Sequence, residues 1–465
     1  MASTALTKTF GSASSASDRY KFTFSTWFKR GTAGDNDYLF GHQSSDGAND
    51  FAIRLDKDSG NSLLRVYDYQ SSSYTIHKQT SRFFRDHSAW YHLVVKIDTT
   101  QSSASDRVKI YINGVEETSF STSVDPNQNQ SVYAFSNTGQ PTVISGRYTN
   151  SLASGYYFDG SLTHTHCCIG YAYDASSFGE TDTTSGIWKP KTAPSVTYGS
   201  NGFFLKFENS GAMGTDSSGN SNTFTINGTL TQNIDTPSNN FATLNGINAG
   251  GGNTTLSNGG LTYTRTDYSH NARSTLGFTK GKWYWEQKQS DNSTRIGLIT
   301  SGFSNNLDTD STDAYYGTYA NGGVYLMNSA SGTSWQATNN DTSRSITTYT
   351  NAIGCSAGDI LMGAVDADAG KLWIGVNGVW MNSGDPAAGS NNQITFTNST
   401  PDELQVYAGF GTSSSRTVNF NFGSGFFGTT AVTSANADAN GLGAFEYTVP
   451  SGYYAICTKN IKEFG

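Results

Sequence analysis

The chain has 465 residues, only 14% charged and 35% hydrophobic, with 51 glycines, 13% aromatics and a net charge of −8. Lys and Arg are scattered without a basic block, which excludes a nucleic-acid footprint. No run approaches the roughly 20 apolar residues of a membrane helix. A chain rich in Tyr, Phe, Thr and Gly and poor in helix formers suits pleated sheets and turns, and its length suits two domains.

Residues 1–19 are a Ser/Ala/Thr-rich arm, read as flexible or as ordered only by packing on something else. The segment lacks the apolar core of a signal peptide. The chain is therefore expected to fold in a cytoplasm, where structural disulfides are not expected. Cys167, Cys168, Cys355 and Cys457 read as small buried hydrophobes. Strands begin with FTFSTWF, whose Phe22, Phe24 and Phe28 alternate, and continue with FAIRL (51–55), WYHLVVKID (90–98) and VKIYI. Asn113-Gly114 follows and predicts a hairpin into VEE. Residues 121–155 read as polar loops.

A jelly roll is assigned to 20–235 and a second sandwich to 236–465. The second half opens on GKWYWEQKQ (281–289) and IGLIT (296–300). Residues 358–389 predict two successive hairpins, through ADAG (367–370) and Asn377-Gly378. VYAGFG and TVNFNFG are further strands. The fold class expected is all-β, two antiparallel β-sandwich domains.

The string SLTHTHCCIGYAY (161–173) places two histidines and two cysteines within five positions. On a strand, Thr163, Thr165, Cys167, Ile169 and Tyr171 share one face, and His164, His166 and Cys168 the other. His164 and Cys168 then lie roughly 13 Å apart, too far for one tetrahedral zinc. A packed strand is the expectation and no cofactor is assigned. GSGFFG (423–428) matches a dinucleotide pattern, but no helix follows it. Asp308, Asp310 and Asp313 are a weak calcium candidate without EF-hand spacing. Glycoside hydrolysis needs two facing carboxylates. Glu180/Asp182 sit in a turn and Glu116-Glu117 point to opposite sides, so the chain reads as a non-enzyme. Exposed aromatics among Asn, Asp and Ser are saccharide-binding chemistry. The candidates are Tyr315, Tyr316 and Tyr319 in DAYYGTY, Trp335 in SGTSWQAT, and Tyr133 and Phe135 in the first half.

The second half resembles a SPRY domain through GKWYWE, GDILMGAVDADAGKLWIGVNGVW and VNFNFGSGFF. The first half resembles laminin-G/concanavalin-A-like jelly rolls through FTFSTWFKR, WYHLVVKID with VKIYINGVEE, and FDGSLTHTHCCIGYAYDASSFGE. The pairing, and the connector FGETDTTSGIWKPK…DSSGNSNTFT…DTPSNNFATLN, resemble virion proteins of tailed bacteriophages. That resemblance implies a virion protein assembled in the host cytoplasm: a tail fibre or receptor-binding protein recognising a host-surface glycan or protein. The alternative is head decoration or a tail structural role. The implied partners are other virion proteins, with no nucleic acid and no membrane insertion. A homo-oligomer is expected; no heptad enforces a trimer, which would form through sandwich faces.

Overall fold

The computed structural model describes residues 4–31, 36–58, 61–136, 139–183, 186–245, 254–266, 272–290, 294–301, 324–331, 334–339, 345–350, 353–396, 403–410 and 415–465. The fold is all-β, and the chain divides into two compact units, Met1–Gln232 and Asn233–Gly465. No helix among the described residues is long and apolar enough to cross a membrane.

Unit 1 is built from β1 (Ala5–Lys8), β2 (Lys21–Arg30), β3 (Asn36–Gln43), β4 (Asp50–Asp58), β5 (Asn61–Gln70), β6 (Ser73–Phe83), β7 (Trp90–Asp98), β8 (Val108–Ile112), β9 (Val115–Glu117), β10 (Phe120–Val124), β11 (Thr142–Ile144), β12 (Gly160–Ile169), β13 (Gly179–Thr181), β14 (Trp188–Pro190), β15 (Phe203–Leu205) and β16 (Thr225–Asn227). One sheet runs β10-β6-β5-β4-β3-β11-β1-β16 and the other β15-β12-β2-β7-β8-β9. Their inner faces form one core in which Phe22, Phe24 and Phe28 meet Phe40, Phe51, Ile53, Leu64, Val66 and Ile110. The alternation that predicted FTFSTWF is this division between core and outer face. Asn113 (φ 52°) and Gly114 (φ 82°) turn β8 into β9, the left-handed pair that such a two-residue hairpin requires.

Two expectations are corrected. The N-terminal segment is no free arm: β1 is hydrogen-bonded between β11 and β16, and Leu6 and Phe10 enter the core. Residues 121–155 are not simply loop. They hold part of β10 and all of β11, and Val132, Ala134 and Phe135 are core residues.

In β12 the face assignment holds for Cys167 and Ile169, both in the core, and for Thr165, whose hydroxyl meets that of Thr26 at 2.7 Å. It holds for His164 and His166, which both lie against Phe204. It fails at Thr163, which pairs with the outer-face Trp27 while Leu162 packs on the core; His164 takes φ 47° where the register slips between Thr163 and His166. A bulge, one extra residue on one strand, interrupts strict alternation. Cys168 lies on the opposite face, buried with Val94, Ala175 and Phe178.

Unit 2 is a second sandwich. Its nine-stranded sheet contains Lys282–Gln289, Ile360–Asp366, Lys371–Val376 and Arg416–Asn421, and its six-stranded sheet contains Thr294–Thr300, Leu404–Phe410 and Ser334–Asn339. Trp283, Trp285, Leu361 and Ile374 of the first pack with Ile296, Leu298 and Val406 of the second. Asn377 (φ 46°) and Gly378 (φ 85°) turn Lys371–Val376 into Val379–Trp380, as the sequence predicts. The buried Glu286 carboxylate accepts from the Tyr284 hydroxyl, Asn421 Nδ2 and the backbone N–H groups of Glu446 and Tyr447, at 2.8–3.2 Å. It thereby pins the late segment to the sheet. Burial outweighs these four donors and pushes its pKa up to about 7.

Candidate binding face on the eight-stranded sheet

Unit 1 has two outer sheet faces. The outer face of the six-stranded sheet is sealed by the chain between β12 and β15. His92 of β7 stacks on Trp27 of β2 at 4.6 Å. Trp188 Nε1–H donates to His92 Nδ1 at 2.9 Å, so the His92 Nε2–H points at Ser25 Oγ, also 2.9 Å away. That fixes one neutral tautomer, and burial drives the pKa down to about 3. His166 stacks on Phe204 at 3.8 Å and its Nδ1 meets the Tyr198 hydroxyl at 2.9 Å. A Cβ on Gly179 would lie 2.4 Å from the Trp188 ring, so the cover closes only over glycine. The cysteines beneath are free and buried. Burial holds both thiols above their usual range, as neutral groups rather than thiolates.

The outer face of the eight-stranded sheet is different. Strands β4 and β5 are patterned on both sides. Phe51, Ile53, Leu55, Leu64 and Val66 point inward, which sends Asp50, Ala52, Arg54, Asp56, Arg65, Tyr67 and Tyr69 outward. The register aligns them in three rungs. Tyr38, Arg54, Arg65 and Gln79 form the first; Gly41, Ala52, Tyr67 and His77 the second; Gln43, Asp50, Tyr69 and Tyr74 the third. Tyr38 and Tyr67 form the floor, 0% and 6% exposed, and Tyr74 stands above it at 41%.

The floor is tied together by hydrogen bonds. The hydroxyls of Tyr38 and Tyr67 meet at 3.0 Å, and Tyr67 donates to Asp50 Oδ2 at 2.7 Å. Burial raises both phenols, so both stay protonated. Burial also raises Asp50 against the opposing pull of Tyr67 and Arg147.

Three guanidiniums lie over this floor. Arg54 is 5.3 Å from the Tyr38 ring and 5.5 Å from that of Tyr67. Arg65 is 5.1 Å from Tyr67 and 5.6 Å from Tyr74. Arg147, from the loop after β11, is 5.8 Å from Tyr38 and 5.2 Å from Tyr156. Arg54 and Arg65 both donate to Asp56 Oδ2, at 3.0 and 3.3 Å. Arg147 donates to Asp50 at 3.2 Å. Asp50 Oδ1, Arg65 Nε, Arg147 Nε and His77 Nε2 are buried polar atoms without a hydrogen-bond partner. The face therefore carries flat rings, half-buried cations and unfilled donors and acceptors, the components of a site for a hydroxylated or charged ligand.

The earlier candidates fall elsewhere. Tyr315, Tyr316, Tyr319, Asp308, Asp310 and Asp313 lie outside the described residues. Trp335 is on the strand Ser334–Asn339 opposite Ser329 and Tyr349, not in a loop. Phe135 was expected to be exposed and is not. At 1% exposure it packs against Phe10 and Phe40, so its ring offers no face to a ligand. Tyr133 is half-buried against His42, its N–H held by Asp68 Oδ1 at 3.1 Å. Glu180 and Asp182 both face Lys189, at 3.8 and 2.9 Å. Glu116 and Glu117 pair with Lys109 and Arg82 respectively. Among the described residues no three His, Cys, Asp or Glu side chains cluster to hold a metal.

Residues 7–166 match the family model of the concanavalin A-like lectin/glucanases superfamily. This is about a third of the chain and includes β3, β4, β5 and β6, which carry the three rungs, together with Arg147 and Tyr156. No curated protein matches the chain. Among solved structures, the SPRY domain of human HERC1 is 16% identical, over 36% of this chain and 91% of its own, with a TM-score of 0.25. Mouse laminin α1 domains LG4-5 are 8% identical, over 96% of this chain and 92% of their own, with a TM-score of 0.29. A putative carbohydrate binding protein from Bacteroides ovatus is 15% identical, over 48% and 56%, with a TM-score of 0.30. Scores this low say nothing further of the chain. The superfamily match is lectin-like, a fold used to bind carbohydrate or protein.

Proposed function

We propose that this protein is a non-enzymatic binding protein that recognises surface glycan through the outer face of the eight-stranded sheet in unit 1. One observation carries the reading: Arg54 and Arg65 stand directly opposite each other on neighbouring strands, above a tyrosine floor and beside the exposed Tyr74. Like charges opposite one another on a sheet are destabilising. Asp56 bridges the pair, and a bridged guanidinium cluster on an outward, aromatic-rich surface supports a binding role for it. Flat rings such as Tyr74 and the half-buried Tyr69 and Tyr156 suit the apolar faces of sugar rings, and the guanidinium and carboxylate edges suit their hydroxyls.

Catalysis finds no support on this face. Asp50 and Asp56 are six residues apart on one strand, about 20 Å, far beyond the roughly 5–9.5 Å of a glycosidase pair. Both already bind arginine. We place the protein on a tailed-phage virion, at the tail, because of the connector and the pairing of sandwiches. A site of about millimolar affinity would suffice there, since repeated copies add roughly 10²–10⁴ in avidity. The head-decoration or tail structural alternative rests on the lack of a fibrous shaft and on the N-terminal arm, of which residues 5–8 are used by β1 within its own sheet.

The test is a glycan-array screen of the full chain followed by calorimetry on the hits. Binding that drops about tenfold in Tyr74→Ala, with unfolding unchanged, is the expected result. A ligand that binds Tyr74→Ala and Arg65→Gln as tightly as the parent removes this face from the account.

A further inference from the structure

We infer that the ligand of this face is acidic: an oligosaccharide bearing carboxylate or sulfate groups, laid across the strands from Tyr74 towards Tyr156. This rests on reading the face as a glycan site. The argument starts from charge. Three guanidiniums, those of Arg54, Arg65 and Arg147, share two carboxylates, Asp50 and Asp56, so the face is positive within a chain of net charge −8. Its neighbour registers that field. His77, on the same rung as Tyr67, is held below its usual pKa by burial first and then by Arg65, with Arg54 adding to it and Asp56 opposing. Asp50 is the weaker counter-charge, because burial favours its protonated form.

Geometry adds to charge. The Nε atoms of Arg65 and Arg147 are buried without hydrogen-bond acceptors, and the two side chains are 18% and 23% exposed. An anion that reaches the exposed edges of these guanidiniums meets partly desolvated donors, where a charge-assisted hydrogen bond is strong. The planar fork of arginine, rather than the point charge of lysine, is the group suited to a carboxylate. Among the charged side chains of the three rungs and the loop after β11, the cations are all arginine. The aromatic row gives the length. Tyr74 is 5.9 Å from Tyr67, the hydroxyl of Tyr67 touches that of Tyr38, and Tyr38 is 5.7 Å from Tyr156. From β6 to β3 this crosses three strand spacings, about 14 Å, room for several sugar rings rather than one.

The experiment uses the full chain and three probes of matched length: an oligogalacturonate, a sulfated heparin-derived oligosaccharide and a neutral gluco-oligosaccharide. Each is titrated at low and high sodium chloride into the parent, Arg65→Gln, Arg65→Lys and Tyr74→Ala, with unfolding curves as the folding control. The expected result is at least one acidic probe bound about tenfold or more tighter than the neutral one. That preference should fall with salt and be lost in Arg65→Gln, with only partial rescue in Arg65→Lys. Whether the uronate or the sulfated probe leads identifies the anion. Equal binding of acidic and neutral probes, lost in Tyr74→Ala, overturns the acidic assignment and leaves the glycan reading standing. An acidic preference that survives Arg65→Gln also overturns it, since the charge then acts elsewhere. Failure of all three probes, together with an empty array, overturns both.

Discussion

The two outer faces of unit 1 belong to one sandwich and share one core, yet they are finished in opposite ways. Over the six-stranded sheet, Trp27, His92, Val94 and Cys168 are buried beneath Trp188, Phe178 and Tyr198. Each histidine there is neutral and locked by a hydrogen bond. Over the eight-stranded sheet the rings are tyrosines, the polar groups are charged, and Tyr74 stands in solvent. Both faces hold buried polar atoms without a partner, Trp27 Nε1 and His166 Nε2 under the cover and Asp50 Oδ1 and Arg65 Nε on the outward face. The outward face differs in its charge: it sets two guanidiniums opposite one another, bridged by Asp56. That difference in charge is what the proposed binding surface has and the covered scaffold lacks.

The largest expected effect comes from breaking the cover. Trp188→Ala removes the ring over Gly179 and the donor to His92 Nδ1, and should cost unit 1 about 3 kcal/mol in denaturant unfolding. Glycan binding by the folded fraction should not change. A loss of affinity at unchanged stability would show that the two faces are not independent.

The next effect separates the inner and outer sides of β5. Asp68, beside Val66 on the inner side, accepts from Gln70, Thr75 and the Tyr133 N–H, and burial pushes its pKa up to about 6. Protonation of Asp68 therefore favours the folded state. The stability it lends is complete below about pH 4 and is lost as the pH rises through about 6, on the order of 2 kcal/mol. Melting between pH 4 and 7 should show this loss, and Asp68→Asn should flatten it. A parent profile that rises over that window contradicts the assignment.

Tyr67→Phe is smaller. It deletes the hydroxyl between Tyr38 and Asp50 and should cost about 1–2 kcal/mol, read by chemical denaturation, with binding weakened as Asp50 and Arg147 shift. Smallest in stability is Tyr74→Ala, within about 0.5 kcal/mol, although its effect on binding is the greatest of the four. A Tyr74→Ala variant that melts early but binds normally would reverse the roles given to the two residues.

The fold was legible where a pattern had only one physical reading. Phe22, Phe24 and Phe28 alternate because one side of β2 is core, and Asn113-Gly114 and Asn377-Gly378 turn because only such pairs take two positive φ values cheaply. The arm was misread because β1 is four residues long and its partners β11 and β16 lie more than a hundred residues away. No local pattern announces such a pairing. The bulge at His164 is invisible for the same reason. The proposed face was written in RVYDY: Leu64 and Val66 alternate with Arg65, Tyr67 and Tyr69. Aromatics were sought in polar loops, where Phe135 proves to be core, while this strand carries its rings on its outward side. The signal was a strand with two coherent faces, one apolar and one of Arg and Tyr.

The most direct test of the central claim is a crystal structure of the full chain with the tightest glycan from the array. The account expects a sugar ring against Tyr74 or Tyr156 and an oxygen within hydrogen-bonding distance of Arg65 or Arg147, with Trp188 and His92 unmoved. Sugar bound on unit 2, or at the rim of unit 1 away from the three rungs, would contradict it.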